Sequence, residues 1–192
     1  MSNTVFFHFG TPKTGTSALQ DFLMDNNPVL EKYHVFYPLF DVNFLEIGAN
    51  RNGHFLYYIR GNEYQKEYES CMEKLNATLS DNSDIILSDE GLWYWQNNNS
   101  WWNEFEKWCS GLDADIKVIV YLRRQEDLVE SLWNQKIKGF KKSTDTFDEF
   151  LKSDYCERLP LDYESSLERI EKLTGKENLI VRPYDFNAFY NG

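Results

Sequence analysis

Cysteine and basic charge are scarce in this chain, and long apolar runs are missing from it. The three cysteines, Cys71, Cys109 and Cys156, are odd in number, far apart and outside any metal-ligand spacing, so they read as reduced thiols used for packing, with no metal site expected. Lys and Arg total 20 against 31 Asp and Glu, a formal net charge of -11, and such a field repels nucleic acid and anionic membrane surfaces. A small nucleotide stays compatible, because a few placed cations suffice to hold it. No window reaches the ~18 apolar residues a membrane span requires. The start, Met1 to Phe9, has neither the basic beginning nor the long apolar stretch of a signal peptide, and the expected location is the cytoplasm.

What is abundant is core-forming side chain. The hydrophobic share is 42%, with 14 Phe, 12 Tyr and 6 Trp, too rich for a disordered polymer. A length of 192 residues matches one domain, since domains usually hold roughly 100 to 200 residues, and a single domain over 1–192 is expected. Along the chain, short apolar runs alternate with helical spacing. Strands are predicted at Val5 to Phe9, His34 to Tyr37, Ile85 to Leu87, Ile116 to Leu122 and Leu179 to Val181. Helices are predicted at Ser17 to Met24, Glu63 to Leu79, Trp101 to Cys109, Glu126 to Lys138, Phe147 to Leu151 and Tyr163 to Leu173, while Asp41 to Arg60 reads as loop with some helix. That alternation predicts an α/β fold in three layers around a mostly parallel sheet.

Two segments carry chemistry. Gly10-Thr11-Pro12-Lys13-Thr14-Gly15-Thr16-Ser17 joins the first strand to the first helix, where free N–H groups and the helix dipole favour an anion. Gly10 and Gly15 suit a phosphate nest, and the hydroxyl residues add donors. The glycine spacing is that of the triphosphatase P-loop, but Thr16 stands where its lysine belongs and Lys13 lies inside the loop. The second segment follows the strand Ile116 to Leu122. Arg123 and Arg124 leave its carboxyl end, where ligands of open α/β sheets bind, and Ser131 follows Arg123 by eight residues on the next helix. An arginine fork suits a phosphate dianion.

The run His8 to Ser17 resembles the 5′-phosphosulfate loop of the sulfotransferase superfamily, and Arg123 with Ser131 resembles its 3′-phosphate motif, with Arg124 in place of the usual Asn. The resemblance implies a P-loop-containing, sulfotransferase-like nucleotide-binding fold. It also implies 3′-phosphoadenosine 5′-phosphosulfate as donor, no metal, and transfer of a sulfuryl group to a hydroxyl or amine of a small-molecule or glycan acceptor. Lys13 would neutralise charge on the leaving phosphate, and Thr11, Lys13, Thr14, Gly15, Thr16, Ser17, Arg123 and Ser131 would hold the nucleotide. For the base the reading leaves two candidates open, His54 in Arg51-Asn52-Gly53-His54 and Glu90 in Leu87-Ser88-Asp89-Glu90-Gly91. His8, inside the first strand, reads as a packed residue.

Trp93, Tyr94, Trp95, Trp101 and Trp102 after Glu90 suit either core packing or stacking on an acceptor, and Lys136, Lys138, Lys141 and Lys142 form one basic cluster. Val181-Arg182-Pro183-Tyr184 looks like a strand end after which family members continue, so a domain cut short or degenerate at its carboxyl end is expected. Two rival functions stand beside the first. One is a small P-loop kinase or nucleotide hydrolase, with Asp89 after a strand as its metal-binding acid; the other is a catalytically silent nucleotide-binding protein.

Overall fold

The computed structural model describes residues 3–40, 50–61, 64–139 and 144–185. Five parallel strands form the centre: β1 (Asn3–His8), β2 (Val35–Phe36), β3 (Asp84–Ser88), β4 (Ala114–Leu122) and β5 (Leu179–Pro183), ordered β2-β3-β1-β4-β5. β1 pairs with β3 on one side and β4 on the other, with Phe7 opposite both Leu87 and Val118. Because every strand runs the same way, all five carboxyl ends reach one edge of the sheet. The predicted α/β class and parallel sheet are thus present, with helices flanking the sheet.

Alternation along the strands sorts the two faces. Val5 and Phe7 of β1, Ile85 and Leu87 of β3, and Val118 and Val120 of β4 are fully buried. They pack with helices α3 (Gln65–Ser80), α5 (Asn99–Ser110) and α9 (Tyr163–Thr174) through Leu75, Phe105 and Ile170. This half is aromatic: Trp101 stacks on Phe105 at 4.9 Å between centroids, and Phe7 meets Phe105 edge-on at 5.3 Å. At roughly 25 cal/mol per Å2 of apolar surface, such side chains dominate the stabilisation of the fold. Trp93, Trp101 and Trp102 are therefore core residues. Cys71 and Cys109 belong to the same core, and burial pushes the Cys71 thiol up to about 12.

On the opposite face lies α1 (Thr16–Asp25), tied to the sheet by the bond from Gln20 Nε2 to Ser88 Oγ at 3.1 Å. His8 Nδ1 meets the same Ser88 hydroxyl at 2.8 Å. A second, smaller core joins α6 (Gln125–Lys138), α7 (Phe147–Leu151) and α8 (Asp154–Glu157) around Leu128, Leu132 and Phe150. Two helices of four residues, α2 (Asn27–Leu30) and α4 (Leu92–Trp95), were not predicted, since a single turn carries little periodicity, while a 3-10 turn at His54–Tyr58 supplies helix within the stretch Asp41 to Arg60 read as loop with some helix. The expected strand His34 to Tyr37 shortens to Val35–Phe36, with Pro38 following. Lys141, Lys142 and Glu63 lie outside the described residues. Among the described residues no helix is long and apolar enough to cross a membrane.

Candidate functional site

The chain leaves β1 with Phe9 still bonded to β4, its N–H donating to the Ile119 carbonyl at 3.0 Å, and then turns back at Gly10. A Cβ on Gly10 would lie 2.3 Å from Thr16 Cγ2, so glycine lets the turn close under the first residue of α1. Thr14 Oγ1 donates to the Thr11 carbonyl at 2.6 Å, and Thr11 Oγ1 donates to the Tyr121 carbonyl at 2.9 Å. These two hydroxyls, expected as ligand donors, fasten the loop to itself and to β4; what Thr11 and Thr14 keep for a ligand is backbone. Lys13 (φ 64) and Gly15 (φ 72) both take the left-handed conformation, which costs a non-glycine residue about 1–2 kcal/mol. No side chain caps α1, and its first bond runs from Leu19 N–H to the Gly15 carbonyl. The N–H groups of Thr16, Ser17 and Ala18 therefore stand ahead of the helical ladder, in the geometry that binds anions.

Two consecutive acids leave β3 with opposite fates. Asp89 is fully buried. Its Oδ1 accepts Arg51 Nη2 at 2.6 Å, the Tyr57 hydroxyl at 2.6 Å and the Gly91 N–H at 2.7 Å, while Oδ2 accepts Arg51 Nε at 3.1 Å. His54 Nδ1 lies 3.4 Å from Oδ2. Burial by itself would push the Asp89 carboxyl up; hydrogen bonds from His54 and Arg51, with the Arg51 charge, outweigh it and hold the group below its ordinary value. Asn52 makes this corner possible. Its amide accepts from Ser88 N–H at 2.7 Å and donates to the Ile86 carbonyl at 2.8 Å, so a side chain takes the place of a neighbouring strand beside β3.

Glu90, one residue on, is only half-buried and accepts the Thr16 hydroxyl on Oε2 at 2.5 Å. It thereby ties the end of β3 to the start of α1. Beside this tie opens a cavity of about 570 Å3, lined by Lys13, Gly15, Thr16 and Ser17 of the loop and helix start and by Glu90 and Arg51. Tyr94 from α4, Gln135 from α6 and Tyr155 from α8 complete it. Burial, with Tyr155 beside it, pushes the Tyr94 hydroxyl well above its ordinary value, so it keeps its proton as a donor.

The second motif sits next to this cavity without lining it. Arg123 Nη1 donates to the Lys13 carbonyl at 3.1 Å, and the guanidinium lies 5.8 Å from the centroid of the Tyr184 ring. Tyr184, whose N–H donates to the Leu122 carbonyl, also approaches the Gly15 Cα from above: a Cβ there would come 3.4 Å from its ring. Arg123 thus braces the loop from beneath, and no hydrogen bond of its Nε or Nη2 is recorded among the described residues. Ser131 is half-buried on α6, one turn before the cavity residue Gln135 on the same helical face. Arg124 differs from expectation. It turns to Glu126 in the first turn of α6 on the exposed surface, away from the ligand side.

The structure thus brings Lys13, Gly15, Thr16, Ser17 and Glu90 to one cavity, sets Arg123 under it, and packs His54 behind Asp89, 4% exposed and off the cavity wall. His8 is buried as expected, and burial lowers it to about 4. Lys136 pairs with Asp145 at 2.6 Å and sits over the Phe150 ring. Sequence reasoning missed Arg51, Gln135, Tyr155 and Tyr184. For Arg51 the only available signal was that an acid following a buried strand needs a cationic partner. Among the described residues no group of three His, Cys, Asp or Glu side chains could hold a metal ion. No protein-family model matches this chain, and no curated protein matches it.

Proposed function

We propose that this protein transfers a sulfuryl group from 3′-phosphoadenosine 5′-phosphosulfate to a hydroxyl or amine. The observation that carries the reading is that Lys13 and Glu90 line one cavity, with the Thr16 hydroxyl bonded to Glu90. The residues fit a donor with two separated anionic groups. The N–H groups ahead of α1 and the Lys13 ammonium suit the 5′ end, and the Nε and Nη2 of Arg123, aided by Ser131, suit the 3′-phosphate. The nucleotide supplies an activated sulfuryl group on a phosphate leaving group.

Glu90 takes the acceptor proton as the acceptor oxygen or nitrogen forms its bond to sulfur. The bond from sulfur to the bridging phosphate oxygen breaks in line with that attack. Lys13 neutralises the charge left on the bridging oxygen, and the loop amides hold the others. His54 acts one step back, holding Asp89 and through it the corner that carries Glu90. The rival kinase reading needs a strand-end acid for magnesium, and Asp89 has both oxygens committed to Arg51, Tyr57 and Gly91.

Calorimetric titration with 3′-phosphoadenosine 5′-phosphate, in parallel with ATP and magnesium, tests the reading. Binding of the first without metal, tighter than the second, is expected; preference for ATP with magnesium would overturn it in favour of the kinase.

A further inference from the structure

Arg51 presents an edge that the fold does not use. Its Nε and Nη2 face Asp89, and Nη2 also donates to the Tyr57 hydroxyl at 3.0 Å. Among the described residues Nη1 makes no hydrogen bond, the side chain is 26% exposed, and Arg51 lines the same cavity as the loop. Glu90 lines the same cavity but pairs with Thr16 and makes no ion pair with Arg51. A guanidinium is planar, so when its Nε–Nη2 edge is fixed on a buried carboxylate, its Nη1 hydrogens point in a fixed direction.

The clamp is built to stay fixed. A Cβ on Gly91 would overlap the Tyr57 hydroxyl at 1.4 Å and approach Asp89 Oδ1 at 3.1 Å, so glycine at 91 is what lets Tyr57 and Arg51 share that oxygen. Burial opposes the charge of Arg51, and the bonds to Asp89 outweigh it and raise the guanidinium further, so it is a permanent cation. An Nη1 edge of this kind, in a 570 Å3 cavity also lined by Tyr94 and Tyr155, is matched best by a carboxylate, whose charge-assisted bonds are roughly twice as strong as neutral ones.

Resting on the transfer reading above, we propose that the acceptor is a small hydroxylated carboxylate, anchored through its carboxylate on Arg51 Nη1 with its hydroxyl directed at Glu90. The hydroxyl oxygen forms the new bond to sulfur, its proton passes to Glu90, and the products are the sulfate ester of the hydroxy acid and 3′-phosphoadenosine 5′-phosphate. Arg51 would then be a specificity-determining residue that selects against neutral alcohols.

The test uses 15N-labelled protein and two probes, acetate and acetamide, titrated with and without saturating 3′-phosphoadenosine 5′-phosphate. The readout is the Arg51 Nε–H resonance, assigned through bonds in a 13C,15N-labelled sample of the wild type. Acetate is expected to shift it saturably, at a concentration about 10-fold lower than it needs for the exposed Arg60, Arg158 and Arg182, with or without nucleotide, while acetamide leaves it in place. Arg51→Lys, followed on the backbone N–H resonance of Gly91, which lines the cavity and donates to Asp89, should weaken acetate binding about 10-fold, because one ammonium cannot serve Asp89 and a ligand together. If that variant fails to fold, the two probes on the wild type still decide the matter. No saturable acetate shift, equal response to acetamide, or displacement of acetate by the nucleotide would each overturn the proposal, the last by assigning Arg51 to the donor. Acetate binding at Arg51 in a protein that ignores the nucleotide would instead overturn the transfer reading, and the acceptor role with it, leaving only an anion site.

Discussion

The carboxyl edge of the sheet has two halves that use the same residue types differently. Where the chain leaves β1 and β3, polar groups face a cavity: Lys13, Glu90 and Arg51 all line it. Where it leaves β4 and β5, they face the protein. Arg123 bonds the Lys13 carbonyl and lies by the Tyr184 ring, Tyr163 donates to the Arg123 carbonyl at 2.9 Å, and Arg124 pairs with Glu126. The difference teaches that a cation at a strand end is not by itself a ligand contact. What decides its role is what lies within its reach: for Arg123 the Lys13 carbonyl and the Tyr184 ring, for Arg124 the Glu126 carboxylate.

Lys13 gives the strongest way to break this contrast. Lys13→Gly removes the ammonium but keeps the left-handed conformation at φ 64, which glycine adopts freely. Turnover is expected to fall about 1,000-fold, while the thermal midpoint stays the same or rises, since relief of about 1–2 kcal/mol of strain opposes the extra entropy of the unfolded chain. A clear loss of stability would make Lys13 a brace like Arg123. Glu90→Gln follows, with turnover down about 100-fold and affinity for 3′-phosphoadenosine 5′-phosphate nearly unchanged. Should the affinity fall instead, the bond from Thr16 to Glu90 matters for holding the loop and the base lies elsewhere.

Legibility in the sequence follows the same divide. Ile116 to Leu122 announces β4 because its run is long and β-branched, and the strand-loop-helix pattern around Gly10 to Ser17 marks a candidate anion site without any tertiary knowledge. Five residues of that segment, Pro12, Lys13, Gly15, Thr16 and Ser17, line the cavity. The Arg51–Asp89 clamp could not be read this way. Its partners are 38 residues apart, and no local period links them. That His54 is buried by Asp89 while Glu90 lines the cavity could not be read this way either, because it follows from how the segment 50–61 docks on β3 through Asn52. Short elements such as α4 and α8 were invisible for the reason that a single turn has no repeat.

His8 sharpens the contrast from beneath, since it lies under the β1 loop and bonds Ser88. Burial lowers it to about 4 in the folded chain, against 6.5 when exposed. As pH falls, the unfolded chain therefore takes up the proton first. The stability this group contributes is complete above about pH 6.5 and is lost progressively down to about pH 4, a change of about 3 kcal/mol, or roughly 300-fold in the folding constant. Denaturant midpoints measured across that window should drop for the wild type by this much more than for His8→Gln. Parallel curves would mean that His8 gains its proton within the folded state.

The smallest effects are expected on the β4 side, and they test the contrast most finely. Arg123→Ala removes one bond to the Lys13 carbonyl and the cation beside Tyr184, so 3′-phosphoadenosine 5′-phosphate should bind about 10-fold more weakly, partly because the loop loses its brace. Ser131→Ala removes at most one neutral hydrogen bond to a phosphate and should cost about fivefold in the same titration, with the unfolding midpoint unmoved. The two can be told apart by chemistry as well as size. A nucleotide lacking the 3′-phosphate should be insensitive to Ser131→Ala yet still weakened by Arg123→Ala, because the brace acts on the loop that holds the other phosphate. If both variants lose all discrimination against that nucleotide, Arg123 is a ligand contact first, and the two halves of the edge are more alike than their hydrogen bonds suggest.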